Sequence, residues 1–199
     1  EAPGRETVRV REVGMNGAAA RVEGAVSYAR IGGRSYWTEG EQGYEEWLDL
    51  EAGRAYAGRE LARWQVEGRT LRMHEGKVLV DDARGVPQLV VSAPRAWARS
   101  GQSVPAELRV QGDQIVLEVD ANGEAVLVDP SWVLTGSMTT PRREFFSGEG
   151  GVRLNDGRVF VAGGYSDTTG ILASCEIFDP ATNLWSPVAP MPQPRAYHI

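Results

Sequence analysis

The sequence predicts an all-β fold in two parts, and three observations predict it. Short runs of alternating apolar and polar residues recur along the 199 residues, and helical periodicity is nearly absent. Turn-forming residues separate the runs about every 8 to 12 residues, the spacing of a sandwich or barrel. In chain order the runs are 8–13, 25–31, 46–50, 64–66, 70–73, 77–80, 88–91, 107–110, 115–119 and 125–128. Between them Glu75-Gly76, 81–85, 111–113 and 120–123 collect Gly, Asp and Asn, residues that tolerate positive φ or bond their own backbone. Segment 51–63 reads as a loop, because Gly53 and Gly58 interrupt any helix around Arg59 to Arg63.

Composition narrows the function classes. The hydrophobic share of 42% suits a globular chain, and the net charge of -6 argues against a nucleic-acid partner, which would demand clustered Lys and Arg. No stretch approaches the roughly 20 apolar residues of a membrane span. Lys77 is the sole lysine among 21 basic residues, a skew that points to a GC-rich bacterial source. Cys175 is the sole cysteine, so no internal disulfide exists. The chain begins at Glu1 without an initiator Met, as a processed or trimmed chain would.

From about residue 128 the pattern changes. Trp132, Met138, Pro141 and Arg142 recur as Trp185, Met191, Pro194 and Arg195 at an offset of 53 residues, the size of one propeller blade. Between the copies lie an apolar strand ending in Gly163-Gly164, a strand with Glu176 and Phe178 ending in Asp179-Pro180, and Trp185. Residues 132–195 strongly resemble a kelch repeat on these motifs. The resemblance implies the first blade of a kelch-type β-propeller, with Trp132, Met138, Arg142, Gly163, Gly164, Glu176, Asp179, Trp185, Met191 and Arg195 as its structural motif. Arg142 and Arg195 are expected to bond carbonyls or a neighbouring acid such as Glu176.

Segments 86–94 and 118–130 resemble an uncharacterised β-rich domain that precedes kelch propellers in large secreted bacterial proteins. The expected organisation is a β-sandwich-like N-terminal domain at 1–131, a kelch blade at 132–190 and the start of a second blade at 191–199. A closed propeller takes roughly 4 to 8 blades, so the propeller is incomplete here and the chain is read as part of a longer one.

Two sets of residues compete for a functional role. Trp37, Tyr44 and Trp47, with Tyr36, Glu39, Glu45 and Glu46 around them, read as a stacking and hydrogen-bonding surface for a sugar. The alternative is a hairpin with Tyr44 and Trp47 partly in the core, since aromatics favour strands. Glu45 and Glu46 are adjacent, point to opposite faces of a strand, and so cannot form a glycosidase dyad by themselves. Asp81-Asp82 and 120–123 lack the Gly and Glu spacing of a calcium loop and read as turns.

No catalytic motif emerges, and Gly148 to Gly151 has no following helix to cradle a phosphate. Kelch propellers include a copper-radical oxidase with a Tyr–Cys crosslink. With only His74 and His198 as histidines, Cys175 is read instead as a small buried residue, with no cofactor and no metal.

The expected function is a non-catalytic, secreted or surface-displayed binding protein that engages a protein or glycan. The alternatives are an accessory part of a carbohydrate-active oxidase or hydrolase with its active site downstream, and a self-assembling subunit completed by a neighbouring chain.

Overall fold

The computed structural model describes residues 8–40, 43–92, 94–143 and 151–197. They are all-β, with antiparallel pairing throughout the registers and no helix among the described residues. The chain divides into two compact units, one of 1–78 and 91–134, the other of 79–90 and 135–199.

The first unit is built from two sheets. One orders Val10–Glu12, Glu60–Val66, Gln114–Val119 and Ala106–Gln111 side by side. The last two form a tight hairpin in which Gln111 faces Gln114 and Gly112 takes φ 63°, the left-handed backbone that a two-residue loop requires. The other sheet runs Met15–Val22, Ala25–Arg30, Gly33–Gly40 and Gly43–Leu50 as a meander. Strand Gly43–Leu50 then pairs with two short strands, Ser131–Leu134 along its first half and Val126–Asp129 along its second, and Arg95–Ala98 pairs with Val126–Asp129.

The sheets meet through buried side chains. Trp64 of the first lies edge-on to Trp132 of the second at 5.5 Å, and Leu48, Leu50, Val66, Ile115 and Leu117 of the two sheets are, like them, within 2% of full burial. Burying each such aliphatic side chain stabilises the unit by about 1.5–3 kcal/mol.

Residues 60–63, expected in a loop, are strand. Strand Glu60–Val66 pairs on both sides, with Val10–Glu12 and with Gln114–Val119. Its register shifts where Leu117 faces Ala62 but Glu118 faces Glu60. That bulge turns both Leu61 and Ala62 inward and breaks the alternation by which a strand is recognised.

The second unit holds a four-stranded sheet in simple sequence order: Val152–Arg153, Val159–Ala162, Cys175–Asp179 and Leu184–Val188. A small hairpin of Tyr165–Ser166 and Gly170–Ile171 stands beside it. Val159, Val161, Phe178 and Trp185 form its core, and Met138 packs against them. The core is completed by Leu79, Val86 and Val90, from a segment over fifty residues earlier in the chain. That segment is fastened at two points. Thr135 donates its N–H to Gln88 O at 3.1 Å and its hydroxyl to Pro87 O at 2.9 Å, and Gly151 N–H donates to Arg84 O at 2.9 Å.

Candidate functional site

The blade motif converges on one ion pair. Arg142 Nη2 lies 2.6 Å from Glu176 Oε1, with the two side chains 0% and 1% exposed. The guanidinium also donates to Gly163 O at 3.1 Å, Ser174 O at 2.7 Å, Ser174 Oγ at 3.0 Å and Thr140 O at 3.3 Å. The carboxylate in turn accepts the N–H of Thr139 at 2.7 Å and of Thr140 at 3.3 Å. Glu176 is the second residue of strand Cys175–Asp179, and Arg142 comes from the segment before the sheet. A planar fork suits this task, because it reaches a carboxylate and several carbonyls at once.

Gly163 and Gly164 have φ of 62° and 94°, so the strand Val159–Ala162 ends in left-handed backbone that a side chain would strain. This conformation turns Gly163 N–H to Ser174 O at 3.0 Å and Gly164 N–H to Arg195 O at 2.8 Å. Arg195 N–H donates to Leu172 O at 3.0 Å and Met191 N–H to Ala173 O at 2.9 Å, so both residues join the blade by main chain, and the Arg195 side chain is exposed.

Asp179 Oδ1 accepts Ala181 N–H at 2.8 Å, and Asp179 O accepts Asn183 N–H at 2.8 Å, closing the turn before the last strand. Trp185 is 8% exposed and tilts against Phe178 at 5.3 Å. Trp132, its counterpart in the repeat, lies in the first unit instead, within strand Ser131–Leu134 and 2% exposed.

The three aromatic candidates of the N-terminal half do not share a surface. Trp37 faces Glu46 across the strands, on the inner side of the sheet, 5.8 Å from Trp132. Tyr44, two residues before Glu46, is on that side also and is 55% exposed. Trp47 points the opposite way and lies nearly parallel to Trp97 at 6.4 Å, with Arg95 5.7 Å over the Trp97 ring. Trp97 was not legible as a partner, since the run Arg95–Ala98 carries only alanines on its other face.

Glu46 is fully buried, and Glu45 is exposed. Trp132 Nε1–H donates to Glu46 Oε2 at 3.3 Å, and Oε1 has no hydrogen bond. Nearby, Glu12 accepts the Ser35 hydroxyl at 2.6 Å and pairs with Arg30 at 2.8 Å, while Arg30 also donates to Leu61 O at 2.9 Å. Burial pushes the Glu46 carboxyl well above the ordinary carboxylate range, and the Glu12 charge adds to the push. The Trp64 and Trp132 indoles and Arg30 oppose it. A carboxyl kept protonated can act as a general acid where substrate reaches it. At 0% exposure this one serves the core.

The acidic turns bond to themselves. Asp82 Oδ1 accepts the N–H of Arg84 at 2.9 Å and of Val86 at 3.0 Å, and Asp120 Oδ1 accepts that of Asn122 at 3.2 Å. Cys175 is buried, with its thiol 3.6 Å from Ala173 O, and Tyr165 lies beneath the Arg143 guanidinium at 5.2 Å. His198 and Gly148 to Gly150 lie outside the described residues. Among the described residues no three His, Cys, Asp or Glu side chains are grouped to hold a metal.

Comparison with known proteins matches residues 150–192 to the Kelch motif. A stretch of 49 residues is 39% identical to Kelch-like protein 21 of Danio rerio. That stretch covers 25% of this chain and 8% of the relative, so the likeness speaks for a kelch repeat.

Proposed function

We propose that the chain is a non-catalytic binding protein whose kelch blade belongs to a propeller that engages a protein partner, on a secreted or surface-displayed bacterial protein. The observation that carries this reading is the use to which the blade puts its charged motif. Arg142 and Glu176 spend their hydrogen bonds on the carbonyls and N–H groups of their own blade, so the motif acts as a frame for surface loops. Kelch repeats mediate protein interactions, and the Kelch match at 150–192 supports the same role. The single lysine and the likeness of the N-terminal half to domains of secreted bacterial proteins support the location.

The test is capture from a bacterial envelope extract with the full chain, followed by titration of the purified captured protein. Saturable binding that an Arg142→Met variant loses is the expected result. Turnover of a carbohydrate substrate, or binding indifferent to the blade variant, would refute the proposal.

A further inference from the structure

Register brings three buried ionisable side chains into one layer between the sheets of the first unit. On the larger sheet Arg30 lies across from Gly33, Tyr28 from Ser35, Ser35 from Leu48 and Trp37 from Glu46, so Arg30, Ser35 and Glu46 project from the same inner side. On the smaller sheet Glu12 lies across from Trp64, and both are buried. The Glu12 and Arg30 side chains are 0% and 7% exposed, and Glu46 is 0% exposed. The charged groups that bear on Glu46 are Glu12 and Arg30, its other neighbours are the indoles of Trp64, Trp132 and Trp37, and Arg54 bears on Arg30.

One guanidinium neutralises only one of the two carboxylates. Here it serves Glu12: Arg30 Nη1 lies 2.8 Å from Glu12 Oε1, and the Ser35 hydroxyl donates to Glu12 Oε2 at 2.6 Å. Charge balance then keeps the proton on Glu46, since a second buried carboxylate would stand uncompensated. Glu46 Oε1 and Arg30 Nε make no hydrogen bond, so an acceptor on one and a donor on the other are available for a different pairing. Of the strands that supply this cluster, Val10–Glu12 is held least. It is three residues long, lies at the end of its sheet, pairs only with Glu60–Val66, and buries only Glu12.

From this arrangement we infer that strand Val10–Glu12 is a proton-controlled latch: with Glu46 protonated Arg30 holds Glu12 and the strand is docked, and when Glu46 loses its proton Arg30 turns to Glu46, Glu12 leaves for solvent and the strand comes away. Both states leave the core with one carboxylate against one guanidinium, which favours the exchange over a core holding two carboxylates. Burial makes Glu46 hold its proton above the ordinary carboxylate range, so the strand is docked at low pH and released as pH rises. Release bares the hydrogen-bonding edge of Glu60–Val66.

The test is amide hydrogen exchange on the full chain from pH 5 to pH 9, corrected for the intrinsic pH dependence of exchange and repeated at low urea concentrations. Three amides separate local release from general unfolding. Val13 N–H donates to Arg63 O and Glu67 N–H to Arg9 O, both across the latch, whereas Val66 N–H donates to Asp113 O on the other side of its strand. Val13 and Glu67 are expected to exchange through an opening insensitive to low urea, and to lose protection by at least about tenfold over this range, at up to about tenfold per pH unit. Val66, which opens with the sheet, should stay better protected at every pH. Glu46→Gln should make the protection of Val13 and Glu67 flat with pH. Glu12→Gln, which leaves Arg30 uncontested, should flatten it too, at a level below the parent's at pH 5. Circular dichroism establishes that each variant is folded, and where Glu46→Gln does not fold, Glu12→Gln decides on the same criterion. Protection in the parent that is unchanged from pH 5 to pH 9, or a fall with pH that persists in the folded variant, would overturn the inference. So would Val13 and Glu67 exchanging in step with Val66 at every pH and urea concentration, because the strand would then leave only when the unit unfolds.

Discussion

Replacing Arg142 by Met is expected to cost the second unit about 3–5 kcal/mol, the price of breaking a buried ion pair from one side. The magnitude follows from what is stranded. Glu176, 1% exposed, keeps only the N–H bonds of Thr139 and Thr140, and Gly163 O, Ser174 O and Ser174 Oγ lose the donor that now satisfies them. With a urea m-value of about 2 kcal/mol/M, the unfolding midpoint should fall by roughly 2 M. Hydrogen exchange on strands Val159–Ala162 and Cys175–Asp179 assigns the loss to the blade. Removing both charges, in Arg142→Met with Glu176→Leu, should recover much of the stability, because no unpaired charge remains in the core. A single variant within about 1 kcal/mol of the parent, or a double variant no better than the single, would refute the reasoning.

Two further outcomes test the buried carboxyl and the glycine pair. A folded-state pKa raised above the unfolded value means that the folded chain holds a proton the unfolded chain releases. Glu46 therefore supports stability fully below the unfolded carboxylate range and withdraws that support as pH rises toward its raised value. Glu46→Gln should remove this decline, so that urea midpoints for the variant exceed the parent's by a margin that grows with pH from about 4 upward. A constant margin would count against a titrating Glu46. Gly164→Ala, at φ 94°, should cost about 1–2 kcal/mol and lower the melting temperature by about 2–8 °C. An unchanged melt would show that the left-handed backbone there relaxes without strain.

Much of the blade was legible because its residues state their partners locally. The Gly pair marks a strand end and Asp-Pro a turn, whereas the pairing of Arg142 with Glu176, 34 residues on, was suggested by the kelch resemblance and not by local sequence. The repeat itself is less informative than it looks. Trp132 and Trp185 stand at equal distances before Met and Arg, yet one packs with Trp37 and Trp64 and the other with Phe178. Spacing locates a ring along the chain and says nothing of which strands close over it. The same limit hid Leu79 and Val90, which read as ordinary strand residues of the N-terminal half, and Val86 beside the turn between their runs; all three complete the blade core from a distance. Strand Met15–Val22 was missed for another reason. Its residues are almost all exposed and its centre is Gly17 and three alanines, so it carries no apolar alternation to detect.

The aromatic segment shows where stricter use of strand period would have gone further. In 44–50 the side chains at Glu46, Leu48 and Leu50 must share one face, and those at Glu45, Trp47 and Asp49 the other. A slip of one residue would bury Trp47 but would also bury Asp49 and expose both leucines, each worth about 1.5–3 kcal/mol when buried. The two leucines decide the phase, and two consequences come with it. Glu46 is carried into the core, where burial raises its pKa and Trp132 bonds its carboxyl, and Trp47 is carried out to meet Trp97. The buried acid and the exposed ring are thus one structural event, and a change at Leu48 or Leu50 that frees the register would disturb both together.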